Sequence, residues 1–128
     1  MDFEASHEKV LGFRVETFDP YVSQTFQVRG AFRPEQDGDV DTFATIELIE
    51  VTRHPHIAEI EGGTDHRYRE PFSLLFVGLD DDLLTGGIHE FAHKELGEFL
   101  ISLNPVLVRS PGLLKSHPHG RFYESVIG

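Results

Sequence analysis

The chain of 128 residues contains no cysteine. Disulfides, thiolate zinc sites and cysteine nucleophiles are therefore excluded, and so is thiol redox chemistry. The chain also lacks a long apolar run, since no stretch approaches the roughly 20 apolar residues that a membrane-spanning helix needs. Its first residues, Met1-Asp2-Phe3-Glu4, are acidic and are not followed by the apolar segment of a signal peptide. We expect a soluble protein that is made in the cytoplasm, with no membrane span.

Basic residues, and lysine above all, are scarce. Only Lys9, Lys94 and Lys115 occur, and the 11 basic residues stand against 22 acidic ones, which gives a net charge of −11. A phosphate-binding surface needs clustered positive charge, so we expect no nucleic-acid partner. Acid-rich, lysine-poor surfaces are also typical of a high-salt cytoplasm, where carboxylates remain hydrated. The alternative to a halophilic source is an ordinary acidic protein from an organism that prefers arginine.

The alternation of apolar and polar residues predicts an all-β protein. Residues 1–12 are polar without a strong period and are assigned to an N-terminal arm, and residues 13–128 to a single β domain. The segments that read as strands are 24–28, 44–51, 71–78, 88–92, 98–103 and 121–127. In the clearest of them, Ile46, Leu48 and Glu50 share one face. We expect a small antiparallel barrel or sandwich of six to seven strands with long polar loops.

One motif points to metal chemistry. His89-Glu90-Phe91-Ala92-His93 reads as H-E-x-x-H, the signature of zinc proteases. On a helix, His89 and His93 would share a face and bind one metal while Glu90 polarises its water. On a strand, residues four apart are separated by roughly 13 Å, which is too far for two ligands of one zinc ion. A small zinc hydrolase that uses these three residues is therefore the alternative function, and it depends on a helix.

The residues around the motif favour a hairpin. The apolar positions from Ile88 to Leu103 do recur at three and four residue steps, as in an amphipathic helix. However, Gly86-Gly87, Gly97 and Asn104-Pro105 divide the stretch into two short runs, which is the punctuation of a hairpin. The further H-x-x-G-x-x-H extension of some zinc proteases is missing, because the chain continues as Lys-Glu-Leu-Gly-Glu-Phe. We therefore predict a hairpin over residues 88–103, with no catalytic residue and with His89 and Glu90 on its solvent side.

The order of several motifs resembles that of an uncharacterised family of small bacterial and archaeal β domains. The resemblance covers roughly residues 16–127 and rests on Thr17-Phe18-x-Pro20, Phe26, Thr45-Ile46-Glu47-Leu48-Ile49-Glu50-Val51, Phe72-Ser73-Leu74-Leu75-Phe76-x-Gly78, Leu84-x-x-Gly87, His93-x-x-Leu96-Gly97 and Tyr123-Glu124. In that family the segment matching residues 93–97 often reads His-Pro-Glu-Leu-Gly, and a proline there does not suit a helix. The resemblance implies that His93 is a turn residue.

Members of this family are often encoded near tail-collar or microcystin-dependent-type tail proteins. The resemblance therefore implies a structural or interaction role in a phage tail, in a contractile injection particle or in its assembly, either in a virion or outside the cell. It brings no catalytic residue, and a shared fold does not by itself establish a function. It also implies partners that are proteins, either further copies of the chain or tail-like structural subunits.

Two His-Pro-His triplets suggest a second alternative, a metal-binding accessory domain. His54 and His56 surround one proline, His117 and His119 surround another, and His66 follows in the same polar loop as the first pair. Imidazoles two residues apart in an extended chain share a face and suit zinc, nickel or copper. No carboxylate is placed by its spacing to complete either site, and exposed loop residues are the simpler explanation. We predict no firm metal site, no cofactor and no small-molecule substrate.

The loop 105–114 is unusually apolar for a loop. It reads Pro-Val-Leu-Val-Arg-Ser-Pro-Gly-Leu-Leu, and exposed apolar loops usually mark contacts with a partner. The predicted interaction residues are Val106, Leu107, Val108, Leu113 and Leu114. The alternative is a loop that folds back on its own core.

Overall fold

The computed structural model describes residues 3–30, 43–54, 70–79 and 83–128. Within them, six strands form a closed antiparallel barrel in the order β1-β2-β3-β6-β5-β4. The strands are β1 (Thr25–Arg29), β2 (Phe43–Arg53), β3 (Phe72–Gly78), β4 (Gly87–His93), β5 (Gly97–Val106) and β6 (Arg121–Ile127). The prediction of a small all-β barrel is confirmed.

The β4–β5 hairpin is also confirmed. The two strands pair from Gly87 opposite Leu103 to His93 opposite Gly97, and the turn consists of residues 94–96. Gly97 has a φ of 77°, a left-handed conformation that glycine adopts without steric cost. The glycine therefore ends the turn and starts β5, which is why the helical period of the apolar residues did not produce a helix.

A β-bulge in β2 changes the predicted facing of Glu50. Leu48 pairs with Phe76 but Glu50 pairs with Leu75, so Ile49 is an extra residue on this strand. A bulge shifts the alternation by one position. Glu50 is therefore exposed and Val51 packs against the core instead. The expectation that Glu50 shares a face with Ile46 and Leu48 was wrong for this reason.

The N-terminal segment packs against β5 as a helix. Residues Phe3–Leu11, within the segment assigned to an arm, form α1. The hydroxyl of Ser6, a buried residue, accepts a hydrogen bond from the Leu100 N–H at 2.7 Å. The Lys9 ammonium donates to the Glu98 carbonyl at 2.9 Å. Because polar groups make these contacts, apolar periodicity did not indicate the helix.

Phenylalanine rings fill the barrel and close one of its ends. A short helix α2 (Val15–Phe18) and a 3₁₀ turn (Asp19–Tyr21) lead into β1. Phe18 is fully buried, with its ring centroid 5.1 Å from Phe13, 6.0 Å from Phe72 and 6.2 Å from Phe99. We call this the α2 end; it includes the β4–β5 turn.

The opposite end of the barrel, which we call the α3 end, contains the start of β6. There β6 begins at Arg121 beside Gly78 of β3. A six-residue helix, α3 (Pro111–Ser116), connects β5 to β6. The prediction that residues 105–114 form one loop was wrong, since β5 continues to Val106 and Pro111 occupies the first turn of a helix, where proline is favoured. Among the described residues, no helix is long and apolar enough to cross a membrane.

Candidate functional site

The H-E-x-x-H residues lie on strand β4 and not on a helix. His89 and His93 are both buried and share the inner side of the strand, at a separation of roughly 13 Å. Glu90 lies on the other side because side chains alternate along a strand. It is 17% exposed, and its carboxylate lies 3.9 Å from the Arg29 guanidinium. This arrangement contradicts the helical geometry on which the zinc hydrolase alternative depends.

His89 connects two segments at the β1–β4 seam. Its Nδ1 lies 3.0 Å from the Arg29 carbonyl oxygen and its Nε2 lies 2.7 Å from that of Thr85. The residue is 7% exposed, so its predicted solvent-side position was wrong. In the part of the chain that the structure describes, the β1–β4 ladder consists of two pairs, Gln27 with Ala92 and Val28 with Phe91. The imidazole therefore adds a contact between β4 and the end of β1, beyond the backbone hydrogen bonds that join these two strands.

The ring of His89 also explains a glycine at the end of β1. Gly30 has a φ of 93°, and a Cβ atom at this position would lie 3.1 Å from Nδ1 of His89. Both the backbone conformation and the close approach of the ring favour glycine. Each ring nitrogen lies against a carbonyl oxygen. The neutral imidazole donates its single N–H to one of these oxygens, and neither nitrogen is directed toward a metal site.

His93 stabilises the β4–β5 turn. Its Nδ1 accepts hydrogen bonds from the N–H groups of Glu95 at 3.1 Å and Leu96 at 3.2 Å. Its Nε2 lies 2.9 Å from Oε1 of Gln24. Since Nδ1 acts as an acceptor, Nε2 carries the proton of the neutral ring and donates a hydrogen bond to this oxygen. Burial lowers the pKa of His93, because removal from water disfavours the charged ring. These contacts are those of a neutral turn residue, as the hairpin interpretation requires.

Two aromatic rings enclose the imidazole of His93. The ring centroids of Tyr21 and Phe26 both lie 4.6 Å from that of His93. The phenol of Tyr21 in turn is hydrogen-bonded to the Glu95 carboxylate, which raises the pKa of Tyr21. The turn, the 3₁₀ segment and the start of β1 are thus held together around one histidine. Its lone pair at Nδ1 is occupied by two backbone donors.

The structure places the described histidines of the two His-Pro-His triplets at opposite ends of the barrel. Nε2 of His54 lies 2.9 Å from the Ser73 hydroxyl near the α2 end. His117 precedes β6 at the α3 end, where its ring packs edge-on against Phe122 at 6.2 Å, and His119 is exposed. His56 and His66 lie outside the described residues. Across the part of the chain that the structure describes, no group of three or more histidine, aspartate or glutamate side chains is placed to hold a metal ion.

An apolar groove of ≈ 380 Å³ lies at the α3 end. Four of the five predicted interaction residues line it, namely Val106, Leu107, Val108 and Leu114. Leu107 is 93% exposed and Leu114 is 46% exposed. Leu113 is half-buried and does not line the groove. The alternative of a loop folded wholly onto its own core therefore does not describe Leu107 or Leu114.

The other walls of the groove come from segments that the sequence analysis did not associate with it. Leu83 and Leu84 contribute from the segment before β4, and Phe122 and Tyr123 contribute from β6. The buried N–H of Leu84 donates to the Tyr123 hydroxyl at 3.2 Å, which fixes one wall against the other. These residues are distant in the sequence, so no local pattern could have grouped them.

A basic rim around the groove was also missed. Arg121 lines the groove, and Arg109 and Lys115 are exposed neighbours of the lining residues Val108 and Leu114. The sequence does indicate this basic region, because residues 99–123 contain no aspartate or glutamate although the whole chain contains 22 acidic residues. A search for clustered basic residues does not find this region, because its three basic residues are spread over 13 positions.

These observations define a closed β-barrel domain with a hydrophobic surface groove and a histidine-stabilised hairpin. The domain of unknown function DUF6916 matches residues 13–127, and the chain belongs to this family. The match begins after α1 and covers the whole barrel. The expected membership of an uncharacterised family is thereby confirmed. No curated protein and no solved structure matches the chain.

Proposed function

We propose that this protein is a non-enzymatic structural or interaction component that binds a protein partner through the groove at the α3 end. The exposure of Leu107 and Leu114 around an apolar concavity carries this proposal. Removing one leucine side chain from water is worth about 2 kcal/mol. Burial of both leucines by a partner therefore stabilises the complex. Exposed apolar patches of this kind mark interaction surfaces.

The non-enzymatic part of the proposal is supported by the way in which the H-E-x-x-H residues are used. His89 and His93 are engaged with backbone groups, and Glu90 lies on the opposite side of the strand. A general base or a metal ligand needs a free lone pair directed toward a substrate site. The groups that could supply such chemistry in this motif instead stabilise the barrel.

The assignment to a phage-tail-like or contractile injection particle, or to its assembly, rests on the family resemblance. Members of the resembling family are often encoded near tail-collar or microcystin-dependent-type proteins, and partners of this protein are then neighbouring structural subunits or further copies of the chain. The location in an assembled particle follows from the same resemblance.

Binding to the products of neighbouring genes tests the proposal. We expect co-purification and a shift in size-exclusion chromatography, both abolished by Leu107→Asp with Leu114→Asp. Ile88→Asp is the matched control, because Ile88 is also an exposed apolar residue but lies on β4 outside the groove. Far-UV circular dichroism of each variant verifies the fold. A protein that binds no neighbouring product and stays a monomer, or an Ile88 variant as defective as the double variant, would refute the proposal.

A further inference from the structure

The charge of this chain is divided unevenly along its length. Residues 99–123 contain Arg109, Lys115 and Arg121 and no acidic residue, so this segment carries +3 at neutral pH while the remaining residues carry −14. The segment includes most of β5, the whole of α3 and the start of β6. The same segment supplies the exposed leucines of the groove. Positive charge and exposed apolar surface are thus combined in one part of a strongly acidic protein.

One of the three cations lines the groove at the α3 end, and the other two are exposed residues next to lining residues in the sequence. Arg121 is part of its wall, and Lys115 follows Leu114 on α3. Arg109 follows the lining residue Val108. No acidic side chain in residues 3–30, 43–54, 70–79 or 83–128 forms an ion pair with any of the three. An apolar centre with a charged rim is the usual anatomy of a protein interface.

We propose that the groove binds a partner segment in which bulky apolar side chains are flanked by carboxylates. The inference rests on the proposed function and specifies the chemistry of the partner. Apolar side chains enter the groove beside Leu107 and Leu114, and the carboxylates meet Arg109, Lys115 and Arg121. The net charge of −11 does not prevent this, because charges further away than about 8 Å are largely screened at physiological ionic strength.

The shape of the site favours a protein segment over a membrane surface. The lining residues enclose a concavity whose walls come from β5, β6, α3 and the segment before β4. A flat bilayer would reach the exposed Leu107 but not Leu84, a lining residue that is buried. A protein segment can insert a side chain into the concavity, and buried apolar anchors of this kind dominate interface energies.

Two short fluorescent peptides test the proposal, one alternating leucine with glutamate and the other alternating leucine with lysine. Fluorescence anisotropy with the full chain measures their affinity, and chemical-shift changes at Val106 and Leu114 locate the binding. We expect the glutamate peptide to bind in the groove and the lysine peptide not to compete for it. Preference for the glutamate peptide by a protein of charge −11 runs against the overall electrostatics, so a positive result requires the local rim.

Lys115→Glu and Lys94→Glu form a matched pair of variants. Both replace an exposed lysine and change the net charge equally, but Lys94 lies in the β4–β5 turn at the α2 end. We expect Lys115→Glu to weaken binding of the glutamate peptide by about threefold, and its combination with Arg109→Glu to weaken it by about tenfold, because exposed charge pairs contribute modestly. Lys94→Glu should leave the affinity unchanged.

The outcomes separate this inference from the proposed function. Absence of binding by the glutamate peptide, or an equal loss with Lys94→Glu, overturns the acidic partner. Binding of neighbouring gene products that is abolished by Leu107→Asp with Leu114→Asp but not by Lys115→Glu would support the interaction surface and refute its preference for carboxylates. Binding to phosphatidylglycerol vesicles that depends on Lys115, without binding of the peptide, would replace the protein segment by a membrane surface.

Discussion

Replacing either histidine of the H-E-x-x-H motif should lower the free energy of unfolding, because both side chains stabilise the fold and neither is expected to bind a metal ion. In His93→Ala the turn loses the acceptor of the Glu95 and Leu96 N–H groups, and the ring contacts to Tyr21 and Phe26 disappear. A hydrogen bond contributes about 1 kcal/mol, less where water replaces it at an exposed turn. Each aromatic contact adds about 0.5–1.5 kcal/mol. We expect His93→Ala to lower the free energy of unfolding by about 3 kcal/mol.

The other two residues of the motif should differ from each other in the same assay. His89→Ala removes the imidazole that lies against the carbonyl oxygens of Arg29 and Thr85 and donates its N–H to one of them. Leaving a part-buried carbonyl group without its donor has an expected cost of about 2 kcal/mol. Glu90→Gln removes only a 3.9 Å ion pair with the half-exposed Arg29, which is worth less than about 0.5 kcal/mol. The predicted order of damage is therefore His93, then His89, then Glu90.

Urea denaturation of the three variants measures these differences. In thermal melts the melting temperature of His93→Ala should be lower by roughly 12 °C, at about 4 °C per kcal/mol for a domain of this size. Zinc content of protein purified without a histidine tag provides the opposing measurement. A metal site predicts stoichiometric zinc that is lost in both histidine variants, together with a hydrolytic activity lost in Glu90→Gln and little change in apoprotein stability. That result would refute the structural roles assigned here.

Three further predictions concern protonation, a buried hydroxyl and salt. Burial holds the pKa of His93 below its ordinary value of 6.5, so the unfolded chain binds this proton first as the pH falls. The free energy of unfolding should therefore decline below about pH 6.5 and continue to decline through the folded-state pKa, less steeply in His93→Asn, as urea titrations at several pH values can show. The fully buried hydroxyl of Ser125 has no hydrogen-bond partner among the described residues, so Ser125→Ala should raise stability by about 1 kcal/mol. Ser73→Ala, which loses the bond to His54, should lower it; equal effects of the two changes would contradict this account. The melting temperature should rise between dilute buffer and molar salt because carboxylate repulsion is screened, and a flat curve would count against a halophilic source.

The sequence alone determined the strands and the hairpin. The period-two alternation over residues 44–51 and the apolar run over 71–78 predicted β2 and β3, because each pattern reports the environment of a pleated strand locally. Gly97 marked the β4–β5 turn for the same reason, since its left-handed conformation is a local requirement. These features depend on neighbours within a few residues, so one sequence contains enough information to identify them.

The tertiary structure decided how side chains are used. The bulge at Ile49 that exposes Glu50 depends on the register with β3, and the burial of His89 depends on carbonyl groups of Arg29 and Thr85. The groove depends on still longer connections, since Leu83, Val106 and Arg121 meet there. Only closure of the barrel brings such distant segments together. Burial of the whole core, and not any local pattern, offsets the entropic cost of closing the barrel. For this reason the sequence predicted only those residues of the candidate site that lie in the apolar segment 105–114.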